Sequence, residues 1–121
     1  MPPPELAVGV GLRPGATAAE IVAAVRGAVG DAPIARLATV DQRASEPGFR
    51  RAAEQLGAEP VGFPAEKLNG TPVPNPSKRV ASAIGTASVA EAAAISASGG
   101  GELIISKRIV SGLVIAAAAL K

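Results

Sequence analysis

The chain reads as an α/β protein: a three-layer α/β/α domain with helices on both faces of a small, mostly parallel or mixed sheet of about five strands. Three observations predict this. Short apolar runs with β-branched residues alternate with stretches of helical period, giving β-α-β-α-β between Leu6 and Phe63. The first run is continuously apolar, as in a strand covered on both faces. The length, 121 residues, fits a single domain over 1–121 with a modest core.

The elements follow in order. Leu6, Ala7, Val8 and Val10 form the first strand, and Gly9, Gly11 and Gly15, with Pro14, make a glycine-rich turn after it. Thr17-Ala18-Ala19-Glu20 is a capping box, and Ile21, Val22, Val25 and Val29 share one face of the helix it opens. Gly30-Asp31-Ala32-Pro33 stops that helix. Ile34–Val40 is the second strand, running into Asp41-Gln42-Arg43. Ser45-Glu46-Pro47-Gly48 begins a helix with Pro near its first turn; Phe49, Ala52, Ala53 and Leu56 are its apolar face, and Gly57 ends it. Glu59–Phe63 is the third strand and Pro64–Leu68 a single helical turn.

Asn69–Arg79, rich in Pro and Asn, reads as a mobile loop, and Val80–Ile84 as a short helical or extended piece. A second capping box, Ser88-Val89-Ala90-Glu91 with Ser88 as N-cap, opens a helix to about Ala97. After the break at Gly99-Gly100-Gly101, Glu102–Ser106 and Gly112–Ala118 read as two strands, with Lys107 and Arg108 in or beside their connection. Strand order and oligomeric state stay open. An alanine-rich helix face or the apolar C-terminal strand would serve a dimer, but burial in the core explains both.

Composition narrows the chemistry. The chain has no Cys, His, Trp or Tyr, which removes disulfides, thiolates, imidazole bases and ordinary zinc sites. No metal and no resident cofactor are expected; a cofactor would have to arrive with the ligand. Two Phe residues and a net charge of +2 weigh against nucleic acid as a partner. The longest apolar run, Ile109–Leu120, is interrupted at Ser111 and Gly112 and is too short to span a membrane. MPPPELAV lacks the basic and apolar regions of a secretion signal, so the cytoplasm is the expected compartment. With hydrophobic residues at 48%, largely Ala and Val, the core should be tightly spaced.

Three places remain where chemistry can sit. Gly9-Val10-Gly11-Leu12-Arg13-Pro14-Gly15 is neither a dinucleotide fingerprint, since Pro14 stands where the third Gly belongs, nor a Walker loop. Either the glycines only turn strand into helix, or Arg13 and the free N–H groups bind an anion. Asp41, at the carboxyl end of the second strand, faces the same crevice as Arg13 if the first two strands are parallel neighbours; otherwise Asp41 belongs to a solvated loop or an Asp–Arg pair. Gly85, Thr86 and Ser88 offer a second helix start, accompanied by Lys78-Arg79 and by Lys107 and Arg108, although each basic pair can equally be a solvated face. Two helix starts on one crevice suit a ligand with several separated negative charges. No acid–base dyad or activated nucleophile assembles from the spacing, and the catalytic residues stay unknown.

GVGLRPGATAAEI, ATVDQRASEPGFRRAAEQLG, IGTASVAEAAAI and LIISKR, in that order, resemble the CobE/CbiG C-terminal domain family of cobalamin biosynthesis. The matching positions are Gly9, Gly11, Arg13 and Gly15; Asp41; Glu46 and Gly48; Ser88, Val89, Glu91, Ala93 and Ala94; and Lys107. In CbiG proteins this domain follows others, and the whole protein opens the ring lactone of a cobalt-containing corrin intermediate with release of acetaldehyde. A free-standing copy is similar to the CobE-like members, for which the resemblance implies the pathway more firmly than a reaction. It implies a tetrapyrrole, a precorrin or corrin bearing acetate and propionate arms, as ligand, and other enzymes of the pathway as possible partners. Arg13, Lys107, Arg108 and the two helix starts suit such a polyanion. Two alternatives stand beside binding: a hydrolase or lyase acting on a precorrin with Asp41 or Glu91 as base, and a purely protein-binding role.

Overall fold

The computed structural model describes residues 5–12, 15–70, 86–110 and 112–120. Ten elements follow one another: β1 Leu6–Gly11, α1 Ala18–Val29, β2 Ile34–Val40, α2 Asp41–Ala44, α3 Pro47–Leu56, β3 Glu59–Phe63, α4 Ala65–Gly70, α5 Thr86–Ala97, β4 Leu103–Val110 and β5 Leu113–Ala119. The strands form one five-stranded sheet in the order β3-β2-β1-β5-β4. β1, β2 and β3 are parallel, while β5 runs antiparallel to both β1 and β4. The sheet is therefore mixed and lies between two helical layers, as its sequence predicts.

The two faces of the sheet differ in side-chain size. Because strand residues alternate, Leu6, Val8 and Val10 of β1 face one way with Leu37, Leu113 and Ile115, and pack against Ile21 and Val25 of α1 and Phe49, Ala52 and Ala53 of α3. The other face is paved with Ala7, Gly9, Ala38, Ala116 and Ala118, opposite Ala90, Ala93, Ala94 and Ala97 of α5. With almost no side chain between them, α5 and β1 come into backbone contact. A Cβ built on Gly9 would lie 1.9 Å from the Ala90 carbonyl oxygen and 2.6 Å from the Ala94 nitrogen. The tight spacing expected of the whole core belongs to this one layer.

Local signals set the parallel half of the fold. Thr17 caps α1, its Oγ1 accepting from the Glu20 amide at 3.1 Å while Glu20 Oε1 accepts from the Thr17 amide at 3.0 Å. Pro47 stands in the first turn of α3, and Gly57 ends that helix in the left-handed region, φ 70°. Buried Thr39 donates its hydroxyl to the Val10 carbonyl, 2.7 Å, tying β2 to β1.

Two sequence expectations are corrected. Ser88 does not cap α5, which already runs from Thr86, so Ser88 is inside the helix. Glu91 is therefore beyond the first turn, where it is 1% exposed, and a capping box does not explain it. Lys107 and Arg108 stand beside the connection rather than in it, because β4, expected to end at Ser106, continues through them to Val110. Its register with β5 slips between Leu103 and Ile105 and again between Ile105 and Arg108. These bulges break the strand's alternation and hide its length from a periodicity reading. The piece over Val80–Ile84 and most of the loop over Asn69–Arg79 lie outside the described residues. β5 is hydrogen-bonded on both sides and α5 is largely buried, so core packing accounts for both segments weighed as dimer surfaces.

Candidate functional site

The carboxyl edge of the parallel strands gathers most of the predicted positions. β1 ends at Gly11, β2 runs directly into Asp41, and α1 starts at Ala18 above the same edge. α5 also starts there. Its C-terminus sits at the opposite edge, where Arg36, paired with Ala7 near the start of β1, donates to the Ala97 carbonyl at 2.6 Å. The helix crosses Gly9 midway, so its N-terminal end comes up on the side of Gly11. Two helix starts and a glycine turn thus share one rim, the place where open α/β sheets hold ligands.

The turn is held by a carboxylate from another element. Gly15, in the left-handed region at φ 81°, donates its amide to Glu46 Oε1 at 3.0 Å. The other oxygen of Glu46 pairs with Arg43. These donors, first the Gly15 amide and then Arg43, hold the Glu46 carboxyl below its usual range. Next to this bond, Gly48 of α3 presses on the loop: a Cβ there would stand 2.2 Å from the Ala16 carbonyl oxygen. The sequence places Glu46 at a helix start and beside Asp41-Gln42-Arg43 at the end of the second strand, but does not show what it binds. Its partner is 31 residues away, and nothing local marks such a bond.

Other predicted site residues are placed differently. Gly9 is buried beneath α5, where it admits the helix backbone. Asp41 is at the carboxyl edge but does not turn to the glycine turn. Its Oδ1 lies over Gly62 of β3, on the far side of β2 from β1, where a Cβ would come within 2.6 Å. Arg13, expected in the same crevice, lies outside the described residues; α2 begins at Asp41 and leans over the strand position that has no side chain. There Asp41 lines an open depression of about 310 Å³ with Ala44, Ser45, Arg50, Pro60 and Gly62. The ion pair of this region joins Arg43 to Glu46 rather than to Asp41.

Arg108 is exposed on the edge strand β4, level with Ile115 and, through it, with Val10, two strands across from β1. Arg13, Gly85, Lys78 and Arg79, and the side chains of Thr86, Ser88 and Lys107, lie outside the described residues. Among the described residues no group of three or more His, Cys, Asp and Glu side chains gathers to hold a metal. No helix there is long and apolar enough to cross a membrane.

Solved structures share the arrangement. CobE, a protein from the cobalamin (vitamin B12) biosynthetic pathway, matches with a TM-score of 0.73 and 31% identity, over 100% of this chain and 94% of its own. The cobalamin biosynthesis protein chiG from Agrobacterium tumefaciens str. C58 matches with a TM-score of 0.73 and 28% identity, over 96% of this chain and 98% of its own. None of the curated proteins compared with the chain matches it. The family model described as cobalamin synthesis G C-terminus matches residues 6–118. The chain belongs to that family and is a cobalamin biosynthesis protein.

Proposed function

We propose that the chain is a small binding domain that holds, or hands on, a precorrin or corrin intermediate at the carboxyl edge of its parallel strands, in the cytoplasm. The observation that carries this reading is the meeting of β1's glycine turn with the starts of α1 and α5 on one rim. Helix starts favour negative charge, and acetate and propionate arms around a flat ring present several such charges at fixed separations. The Gly15, Thr17 and Glu20 amides are already taken by the chain's own oxygens. The turn therefore contributes through Gly11 and Arg13, and the rest of the contact falls to the start of α5 around Gly85, Thr86 and Ser88. Lys107 and Arg108 on the edge strand add positive charge to this reading, Arg108 exposed at the level of Val10.

The test is a titration against a series of precorrin and corrin intermediates, followed by the ligand's visible absorbance. A saturable shift with one of them, weakened by Arg13→Ala, is expected. Unchanged affinity in Arg13→Ala counts against the site, and no shift with any intermediate removes the binding role. Catalysis by Asp41 or Glu91 has less support: Asp41 is turned towards β3 and Glu91 is enclosed.

A further inference from the structure

We infer that Glu46 is a positioning residue for the glycine turn, setting the shape in which the turn meets its ligand; this rests on the binding reading above. The turn joins β1, which ends at Gly11, to α1, and Gly15 within it is free of the restraint a side chain would impose. Two contacts hold its end at Gly15 and Ala16, one from Glu46 just before α3 and one from Gly48 in the first turn of α3. Glu46 Oε1 accepts the Gly15 amide, and Gly48 fits against the Ala16 carbonyl only because it lacks a side chain. Arg43, one helical turn before Glu46, holds the second carboxylate oxygen. The side chain of Glu46 is thus fixed at both oxygens and cannot swing away from Gly15 without breaking an ion pair. Binding energy need not be spent on fixing the Gly15 end of the turn, which is already held.

The role separates from a general structural one by comparing two substitutions. Glu46→Gln keeps an oxygen for the Gly15 amide and loses the charge that pairs with Arg43; Glu46→Ala loses both. If Glu46 served stability alone through its ion pair, the two variants would behave alike towards ligand. Positioning predicts that Glu46→Gln binds the corrin intermediate found for the wild type about as tightly as wild type does. Glu46→Ala should bind on the order of tenfold more weakly, about the worth of one hydrogen bond. Equal affinities in all three proteins, or tighter binding by Glu46→Ala, overturn the inference.

A second measurement needs no ligand. Amide relaxation of the ¹⁵N-labelled chains should show Gly15 and Ala16 as ordered as α1 in the wild type and in Glu46→Gln, and less ordered in Glu46→Ala. A turn equally ordered in Glu46→Ala overturns the inference even if no tetrapyrrole binds. A wild type that binds no intermediate, with the turn loosened in Glu46→Ala, removes the binding reading and leaves the latch standing.

Discussion

Gly9 and Gly27 show how the same residue type has opposite meanings at two positions. At Gly9 a methyl group would enter the backbone of α5, 1.9 Å from the Ala90 carbonyl. Gly9→Ala must push the helix off the sheet, and a loss of about 1–3 kcal/mol or more is expected in urea unfolding. Gly27, inside α1, would place its Cβ 3.8 Å from Val110 Cγ1, an ordinary contact. Gly27→Ala should therefore gain about 0.5–1 kcal/mol, the helix preference of Ala over Gly. The Glu46 carboxyl also makes a prediction at this scale. Its pKa is lowered in the folded chain, so its contribution to stability is present above the ordinary carboxylate value and is lost as pH falls through the lowered one. The Gly15 amide proton reports that titration directly. Arg43→Ala should move its midpoint upwards, towards the ordinary value, and an unmoved midpoint would show that Arg43 does not act on this carboxyl.

Among the elements, α5 is tied down at its far end by Arg36, whose donation to the Ala97 carbonyl satisfies a helix C-terminal oxygen. Arg36 is also 3.9 Å from Glu59, but with side chains 45% and 71% exposed that pair is worth little. Arg36→Met should therefore cost about 1–2 kcal/mol in thermal or urea unfolding, and Glu59→Gln no more than about 0.5 kcal/mol. Similar losses in both variants would move the credit from the helix cap to the ion pair. α5 ends at Ala97 as its sequence predicts, but its start does not follow the sequence signal. Its residues from Ala90 to Ala94 are all buried, so no apolar stripe marks the helix, and Ser88 and Glu91 imitate a capping box inside it. β4 misled for the opposite reason. An edge strand with two bulges follows no alternation, and Lys107 and Arg108 look like loop residues although strand edges commonly bear such charges. By contrast, β2 and β3 stand at Ile34–Val40 and Glu59–Phe63, as read, because Gly, Pro and Asp bracket them closely.

For the whole molecule, what escaped the sequence is what depends on long-range contact. The strand order, the antiparallel β5 between β1 and β4, and the Glu46–Gly15 bond are set by pieces far apart in the chain. A glycine in a strand does signal a close backbone approach, so Gly9 was legible as a packing residue; its place in a glycine-rich run drew the reading towards a ligand instead. The carboxyl edge follows more simply, because parallel neighbours with crossover helices bring their strand ends and helix starts to one side. The central claim is that this edge holds a tetrapyrrole. The most direct test follows the backbone amides of the ¹⁵N-labelled chain while a corrin intermediate with free acetate and propionate arms is titrated in. The account predicts saturable shifts confined to residues 11–13, 15–17 and 86–91, with none at the opposite edge around Leu6 and Ala97–Gly101. Shifts centred on that opposite edge, or no saturable shift anywhere, would contradict it.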